Sequence, residues 1–266
     1  MTKPELSEHI AQMLHLREQL EGHLSPIEAR FIATLPLVKG DGTVLEIGSF
    51  KGKSTILLAQ TAGKWSLGKI HACDPLFLSS STDPREALGQ SVEHDFYANI
   101  RRHGVEDQVV FHQMKSTELA KAWTLPLRAL WIDGDHTYAG ALADFELFQR
   151  HLVPGAVVAL HDVLHDFDGP IRVFAEKMLL SDQFGNCGIV GSIAWGQFLG
   201  TGKPGPAQWK AKLSLYRSVE RVIPYVVASA NRIPSSKLAF KTARALVPHR
   251  RFNALSWVQE CNAFFK

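Results

Sequence analysis

From residue 43 onward the chain alternates between two textures. Short apolar runs at 43–47, 69–73, 108–112, 128–132 and 156–160 stop at Gly, Asp or His. Helical stretches near 53–62, 93–103, 117–122 and 138–152 separate them. Strand–helix alternation of this kind commits a chain to a parallel sheet covered by helices on both faces, an α/β domain. Runs at 188–190 and 192–198, joined by Gly191 alone, read as a closing antiparallel pair at one edge.

On either side of this block the pattern changes. Residues 5–20 have apolar positions at helical spacing, and Ser25-Pro26-Ile27-Glu28 reads as a helix start running to about Leu35. Serine caps, proline takes the first helical position and glutamate closes a capping box. Past Phe198 a Gly/Pro cluster at 200–206 reads as a linker, and helical stretches follow at 207–225, 236–246 and 253–264. The expected organisation is N-terminal helices at 1–40, a central domain at 41–200 and a helical extension at 201–266.

Charge follows that division. Of 29 Lys/Arg and 26 Asp/Glu, 12 and 2 fall in 201–266, leaving 17 and 24 in the body. Three scattered cysteines, Cys73, Cys187 and Cys261, make no disulfide framework, and no apolar run approaches the ~20 residues of a membrane span. With no signal-peptide pattern at the start, the sequence reads as cytoplasmic. The basic extension, with seven aromatic residues interleaved from Trp209 to Phe264, is open to three readings. It suits an anionic membrane surface, an acidic polymer, or a packed helical cap for dimerisation or pocket closure, and the packed cap is favoured.

The glycine loop after the first strand, VLEIGSFKGKST over 44–55, is the most informative segment. In an open α/β sheet, ligands bind at the carboxyl ends of the strands, where glycine lets backbone approach closely. Read as a phosphate loop, Gly48 to Ser54 is one residue short of G-x-x-x-x-G-K-[ST], and Glu46 would repel a triphosphate. Read as a nicotinamide loop, it has Phe50 where the second glycine belongs. It could also be a plain strand–turn–helix junction. S-adenosylmethionine, a cation-bearing nucleoside without a pyrophosphate, suits an acidic strand end and an open glycine turn. Asp74 ends the second strand 28 residues after Glu46, where a carboxylate can accept both ribose hydroxyls. Ser116, after the third strand, could border the adenine.

Two further strand ends carry carboxylates. The fourth gives Asp133-Gly-Asp135-His136, and the fifth gives His161-Asp162. Neighbouring parallel strands bring Asp133 and Asp162 to one rim, where paired carboxylates repel unless a cation intervenes. Oxygen ligands suit a divalent ion, Mg²⁺ above all, with His161 a third candidate ligand. Methyl transfer to a hydroxyl needs an aligned, preferably deprotonated oxygen, so His136 is the candidate base and Asp135 the second. His161 is open to three roles: ligand, base or buried structural group. Alternatively, Asp135 or Thr137 simply caps the following helix.

These segments resemble the class I O-methyltransferases, in the branch that includes macrocin-type sugar methyltransferases and cephalosporin-hydroxylase-like enzymes. The matching residues are VLEIGSFKGKST (44–55), CD (73–74), WIDGDHTYAGALADFELFQRHLVPGAVVALHDV (131–163) and, more weakly, VGSIAWG (190–196). The resemblance implies a Rossmann-like, doubly wound seven-stranded sheet of order 3-2-1-4-5-7-6 with one antiparallel strand. It implies cofactor contacts at Glu46, Gly48, Ser49, Ser54 and Asp74, to which Gly52 and Ser116 are added as candidates. It also implies metal contacts at Asp133 and Asp162 and a base at Asp135 or His136. The departure is His161, where metal-dependent relatives put Asp or Glu. The expected acceptor is a hydroxylated small molecule or saccharide, with homo-oligomerisation through the extension as a further expectation. A silent S-adenosylmethionine-binding protein and a nucleotide phosphotransferase are the alternatives.

Overall fold

The computed structural model describes residues 2–83, 88–228, 233–249 and 251–265. Seven strands form one sheet: β1 (Thr43–Ile47), β2 (Ile70–Cys73), β3 (Val109–His112), β4 (Leu127–Ile132), β5 (Leu152–Leu160), β6 (Phe184–Val190) and β7 (Ile193–Phe198). Their order is β3-β2-β1-β4-β5-β7-β6, as expected, with β7 antiparallel to both neighbours and the other pairings parallel. Every residue of β4 is buried, as befits the centre of a sheet covered on both faces.

The helices are α1 (Lys3–Glu18), α2 (Pro26–Thr34), α3 (Lys53–Lys64), α4 (Glu93–Arg102), α5 (Ser116–Ala122), α6 (Tyr138–Gln149), α7 (Asp168–Val173), α8 (Pro206–Val219), α9 (Ile223–Val227), α10 (Pro234–Ala245) and α11 (Ala254–Asn262). The α2 start is as expected: Glu28 accepts from the Ser25 amide and hydroxyl at 2.8 and 2.7 Å. Several segments differ from the pattern read in sequence: β6 begins at Phe184 rather than near residue 188, and the stretch 207–225 divides into α8 and α9. β5 begins at Leu152, inside the stretch assigned to the preceding helix, because Val153-Pro154-Gly155 ends the helical periodicity early. After β5 the chain forms α7 and a π-helical turn, Phe174–Leu179, which fill one sheet face with Ile171, Phe174, Met178 and Leu179.

Two apolar clusters lie on the two sides of the sheet. One joins α1, α2 and α3 to Trp131, Trp195 and, from the C-terminal helices, Trp257. The other joins α5, α6 and α7 to Leu215, Val219, Phe240 and Val247. The extension is thus a packed helical layer on the body. Lys212 is anchored there, its ammonium donating to the Ser181 and Phe184 carbonyls.

At the amino-terminal end of the sheet, Arg128 is buried yet donates to four carbonyls: Val38, Gly42, Pro36 and Leu67, at 2.8–3.3 Å. Its guanidinium fork satisfies loop oxygens that would otherwise be stranded under the strands.

Candidate active site

The register aligns Ile47 with both Cys73 and Ile132, and Ile132 with Leu160, so four strands end level. Ladder bonding continues past the ends. The Gly48 amide donates to Cys73 O (2.9 Å), Asp133 to Ile47 O (2.8 Å) and His161 to Ile132 O (3.0 Å). A cavity of about 1410 Å³ opens over this rim, above the ~300–1,000 Å³ common for one small ligand. Gly48, Ser49, Ser54, Asp74, Ser116, Asp133, Asp135, His136, His161 and Asp162 all line it.

Gly48 is forced. Its φ is +86°, and a Cβ there would sit 2.1 Å from the Asp133 carbonyl, so only glycine lets β1 turn against the end of β4. The turn is braced by Asp74, whose Oδ2 accepts from the Ser49 and Phe50 amides at 2.7 and 2.9 Å. Its Oδ1 accepts from Leu76 N at 2.6 Å. Burial raises the Asp74 pKa, opposed by these amides. A carboxylate has about four acceptor positions, so with three amides bound about one remains at the cavity wall for a ribose-type hydroxyl.

Glu46 and Gly52 do not line the cavity. Glu46 lies wholly buried under the turn, accepting from Ser49 Oγ (3.1 Å) and from Thr55 Oγ1, while its Oε1 has no partner among the described residues. Burial pushes its pKa up to about 7 against those hydroxyls. Gly52 takes φ +86° as the N-cap of α3, where a Cβ would press on the Phe96 ring. Both shape the turn from behind. Ser116 Oγ donates to Asp144 at 2.5 Å, and burial raises that carboxyl to about 6.

Beside the turn, Asp133 Oδ1 accepts from His136 Nε2 (3.2 Å) and His161 Nδ1 (3.0 Å). Asp162 lies 3.9 Å from His136 Nε2 and 3.6 Å from His161 Nδ1, with Ser192 Oγ 3.5 Å away. The two aspartates converge as expected. What stands between them is imidazole. Burial works against charge on His161, yet Asp133, the Glu28 carboxylate at 3.9 Å and Asp162 outweigh it and hold the ring protonated well above its usual range. Burial alone would raise Asp133, but the two histidines hold it well below the usual carboxylate range. His136 is likewise raised by Asp133 and Asp162 against its burial, and its ring stacks on Phe167 at 5.3 Å.

The metal set expected at Asp133, Asp162 and His161 is therefore brought together without becoming a coordination shell. Among the described residues no group of three or more His, Cys, Asp or Glu is placed to hold an ion. The His161 and His136 rings occupy the space between the two aspartates, with His161 Nδ1 3.0 Å from Asp133 and 3.6 Å from Asp162. Asp162 keeps φ +55°, a conformation rare outside glycine and typical of functional positions.

Asp135 is engaged elsewhere. Its Oδ1 accepts from Ser80 Oγ (2.8 Å), Thr82 Oγ1 (3.4 Å) and the Thr137 amide (2.9 Å), binding the loop after β2 to the end of β4. Thr137 is the N-cap of α6, its hydroxyl accepting from Gly140 N.

Several cavity residues carry no sequence signal of their role. Glu28 reads as a helix cap; its second oxygen accepts from the Ser192 amide and hydroxyl, both at 2.7 Å, and so ties α2 to the β6–β7 turn. Lys53 is buried with Nζ donating to Gly22 O (2.8 Å). Asp144 sits inside a helix, and Arg244 and His249 reach the cavity from the extension.

Residues 45–163 match the family model of a methyltransferase domain. That segment, 119 of the 266 residues, runs from within β1 to just past β5 of the sheet ordered β3-β2-β1-β4-β5-β7-β6. The chain is similar to the O-methyltransferase TomG of Streptomyces achromogenes, involved in tomaymycin synthesis, at 17% identity and TM-score 0.52, covering 75% of this chain and 92% of that one. An O-methyltransferase from Bacillus cereus gives 18% identity and TM-score 0.50, over 74% and 92%. The O-methyltransferase NovP gives 14% and 0.56, over 74% and 98%. At these identities the likeness is one of fold. A curated relative, an uncharacterized protein of Acanthamoeba polyphaga mimivirus, is 29% identical over 133 residues, 47% of this chain. The match spans about half that relative's length, 52%.

Proposed function

We propose that this chain transfers a methyl group from S-adenosylmethionine to a hydroxyl of a small molecule or saccharide. One juxtaposition carries the reading: the Asp74-braced glycine turn and the Asp133–His136–Asp162 cluster line a single cavity. The structures of TomG with S-adenosylmethionine and of the Bacillus cereus enzyme with S-adenosylhomocysteine support the choice of cofactor.

The cofactor, when bound, supplies an electrophilic methyl group on a sulfonium. Asp74 accepts a ribose hydroxyl with the one acceptor position that its three amide bonds leave. The Ser49 and Ser54 hydroxyls and the Gly48 backbone line the approach, Ser116 borders the base, and Glu46 acts through the turn it supports. In the same cavity, His136 with Nε2–H directed to Asp133 keeps Nδ1 as its proton-accepting nitrogen. The carboxylates make this ring a stronger base than free imidazole, closer to an acceptor hydroxyl in proton affinity. Phe167 fixes the plane of the ring, and Asp133 stabilises the imidazolium formed when the proton arrives. No step is routed through a divalent ion; the His136 and His161 rings lie within 3.9 Å of both Asp133 and Asp162 in the space between the two aspartates.

Calorimetry with S-adenosylhomocysteine tests the cofactor half: wild type gives a saturable heat and Asp74→Ala loses it. A silent wild type removes the proposal. For the chemical half, His136→Gln should keep cofactor affinity while turnover on a hydroxylated acceptor falls about 10²–10⁴-fold. Unchanged turnover would reassign the base, and cofactor binding with no acceptor methylated would favour the silent binding protein.

A further inference from the structure

Among the described residues, seven of the twelve large apolar side chains left exposed lie beyond residue 200: Leu213, Val227, Ile233, Leu238, Leu246, Phe264 and Phe265. They share this part of the chain with its basic charge. Between Glu220 and Glu260 there is no acidic residue, while Arg221, Arg232, Lys237, Lys241, Arg244, Arg250 and Arg251 all fall there.

The two features meet on α10. Its inner side is anchored, with Phe240, Ala243 and Val247 buried in the cluster that fills one sheet face. At about 100° per residue, Leu238, Lys241, Thr242 and Ala245 point the other way, flanked by Lys237 and Leu246, and all six are exposed. Leu238 is 75% accessible and Leu246 61%, values typical of residues that pack on nothing. Arg244, on the flank between the two sides, lines the cavity, as does His249 just past the helix.

We infer that the outer face of α10 docks on an anionic lipid bilayer and brings the cavity mouth to the membrane–water boundary. Leucines set among lysines match a surface that is apolar just beneath a layer of negative headgroups. Nucleic acid rewards the lysines alone and leaves the leucines in water. A second copy of this chain, meeting the first about a two-fold axis, would set lysine against lysine. The body stays outside the bilayer, since no helix among the described residues is long and apolar enough to cross one.

The experiment is vesicle flotation of the full chain with phosphatidylcholine alone and with about 30 mol % phosphatidylglycerol added. The chain should float with the anionic vesicles only, and should release as salt rises to about 0.5 M. Lys237→Glu with Lys241→Glu should lower the bound fraction about tenfold or more, and Leu238→Ser with Leu246→Ser severalfold. Circular dichroism is expected unchanged in both, because all four side chains are exposed. Three results would overturn the docking: no flotation, flotation insensitive to both double variants, or a dimer on gel filtration that the leucine pair disrupts. Vesicle binding displaced by duplex DNA and kept by the Leu→Ser pair would assign the face to nucleic acid instead. None of these readings uses S-adenosylhomocysteine, so their failure is separate from failure of the methyltransferase reading.

Discussion

Glu46 sits wholly inside the protein with one oxygen bonded to hydroxyls and the other to nothing described, and its proton affinity follows from that. Its pKa stands at 4.5 in the unfolded chain and about 7 in the fold, so between those values the native state holds a proton that the unfolded state has released. Its contribution to stability is whole below pH 4.5 and is lost as pH rises through 7. The change corresponds to about 3 kcal/mol. Glu46→Gln removes the titration, so the variant's stability relative to wild type should climb as pH rises and level off above 7. Urea unfolding of both proteins across that window checks it; a constant difference would show that Glu46 does not titrate there. His161 supports a second prediction. A chelator should leave the thermal midpoint of wild type in place, since the His161 ring already lies between Asp133 and Asp162. His161→Asp should destabilise the apo protein and create a response to millimolar Mg²⁺ that wild type lacks. A wild-type midpoint that falls on chelation would restore the ion to the site.

Strands and helices were largely legible before any coordinates, because each inner strand is a short apolar run closed by a polar residue. Val44, Leu45 and Ile47 announce a strand buried on both faces, and Asp74, Asp133 and Asp162 mark where strands stop. The α7 helix and the π turn after β5 were not legible. Their apolar residues, from Ile171 to Leu179, follow a loop rich in Asp and His whose polarity hides the periodicity beneath it. Lys53, Asp144 and Glu28 escaped for another reason: their roles arise where separate elements meet, and a residue's own neighbours in sequence carry no trace of that. Arg128 is the same case, reading as an unremarkable charge at the start of β4 while serving four loop carbonyls. Replacing it with leucine strands several buried acceptors at ~1–3 kcal/mol each, so Arg128→Leu should cost about 3 kcal/mol or more in denaturant unfolding. A loss under about 1 kcal/mol would mean that water serves those oxygens instead.

Taken whole, the molecule is a parallel sheet held between helices from both ends of the chain. The C-terminal segment was the part whose purpose sequence read least clearly, since basic charge and interleaved aromatics suit a packed cap and a docking surface alike. Its aromatics settle the first point. Trp257 packs against Phe31 at 4.9 Å and Trp195 at 5.5 Å, and Asn262 bonds to the backbone of Leu37 and Lys39. Trp257→Ala should therefore cost about 3–5 kcal/mol of stability of the entire fold. The transition should stay single; a separate early transition would show the extension unfolding by itself.

The contact between Gly48 and the Asp133 carbonyl has a consequence for how such a protein can change. Because the Gly48 turn and the end of β4 at Asp133 are adjoining backbone, any shift of one drags the other, and neither tolerates much alteration. Novelty in the acceptor must then come from parts hung around that fixed hinge-less frame: the Ser79–Thr82 stretch, Phe167, and the rim supplied by Arg244 and His249. Exchanging those pieces between relatives should re-aim the enzyme at a different hydroxyl while leaving its appetite for the methyl donor as it was.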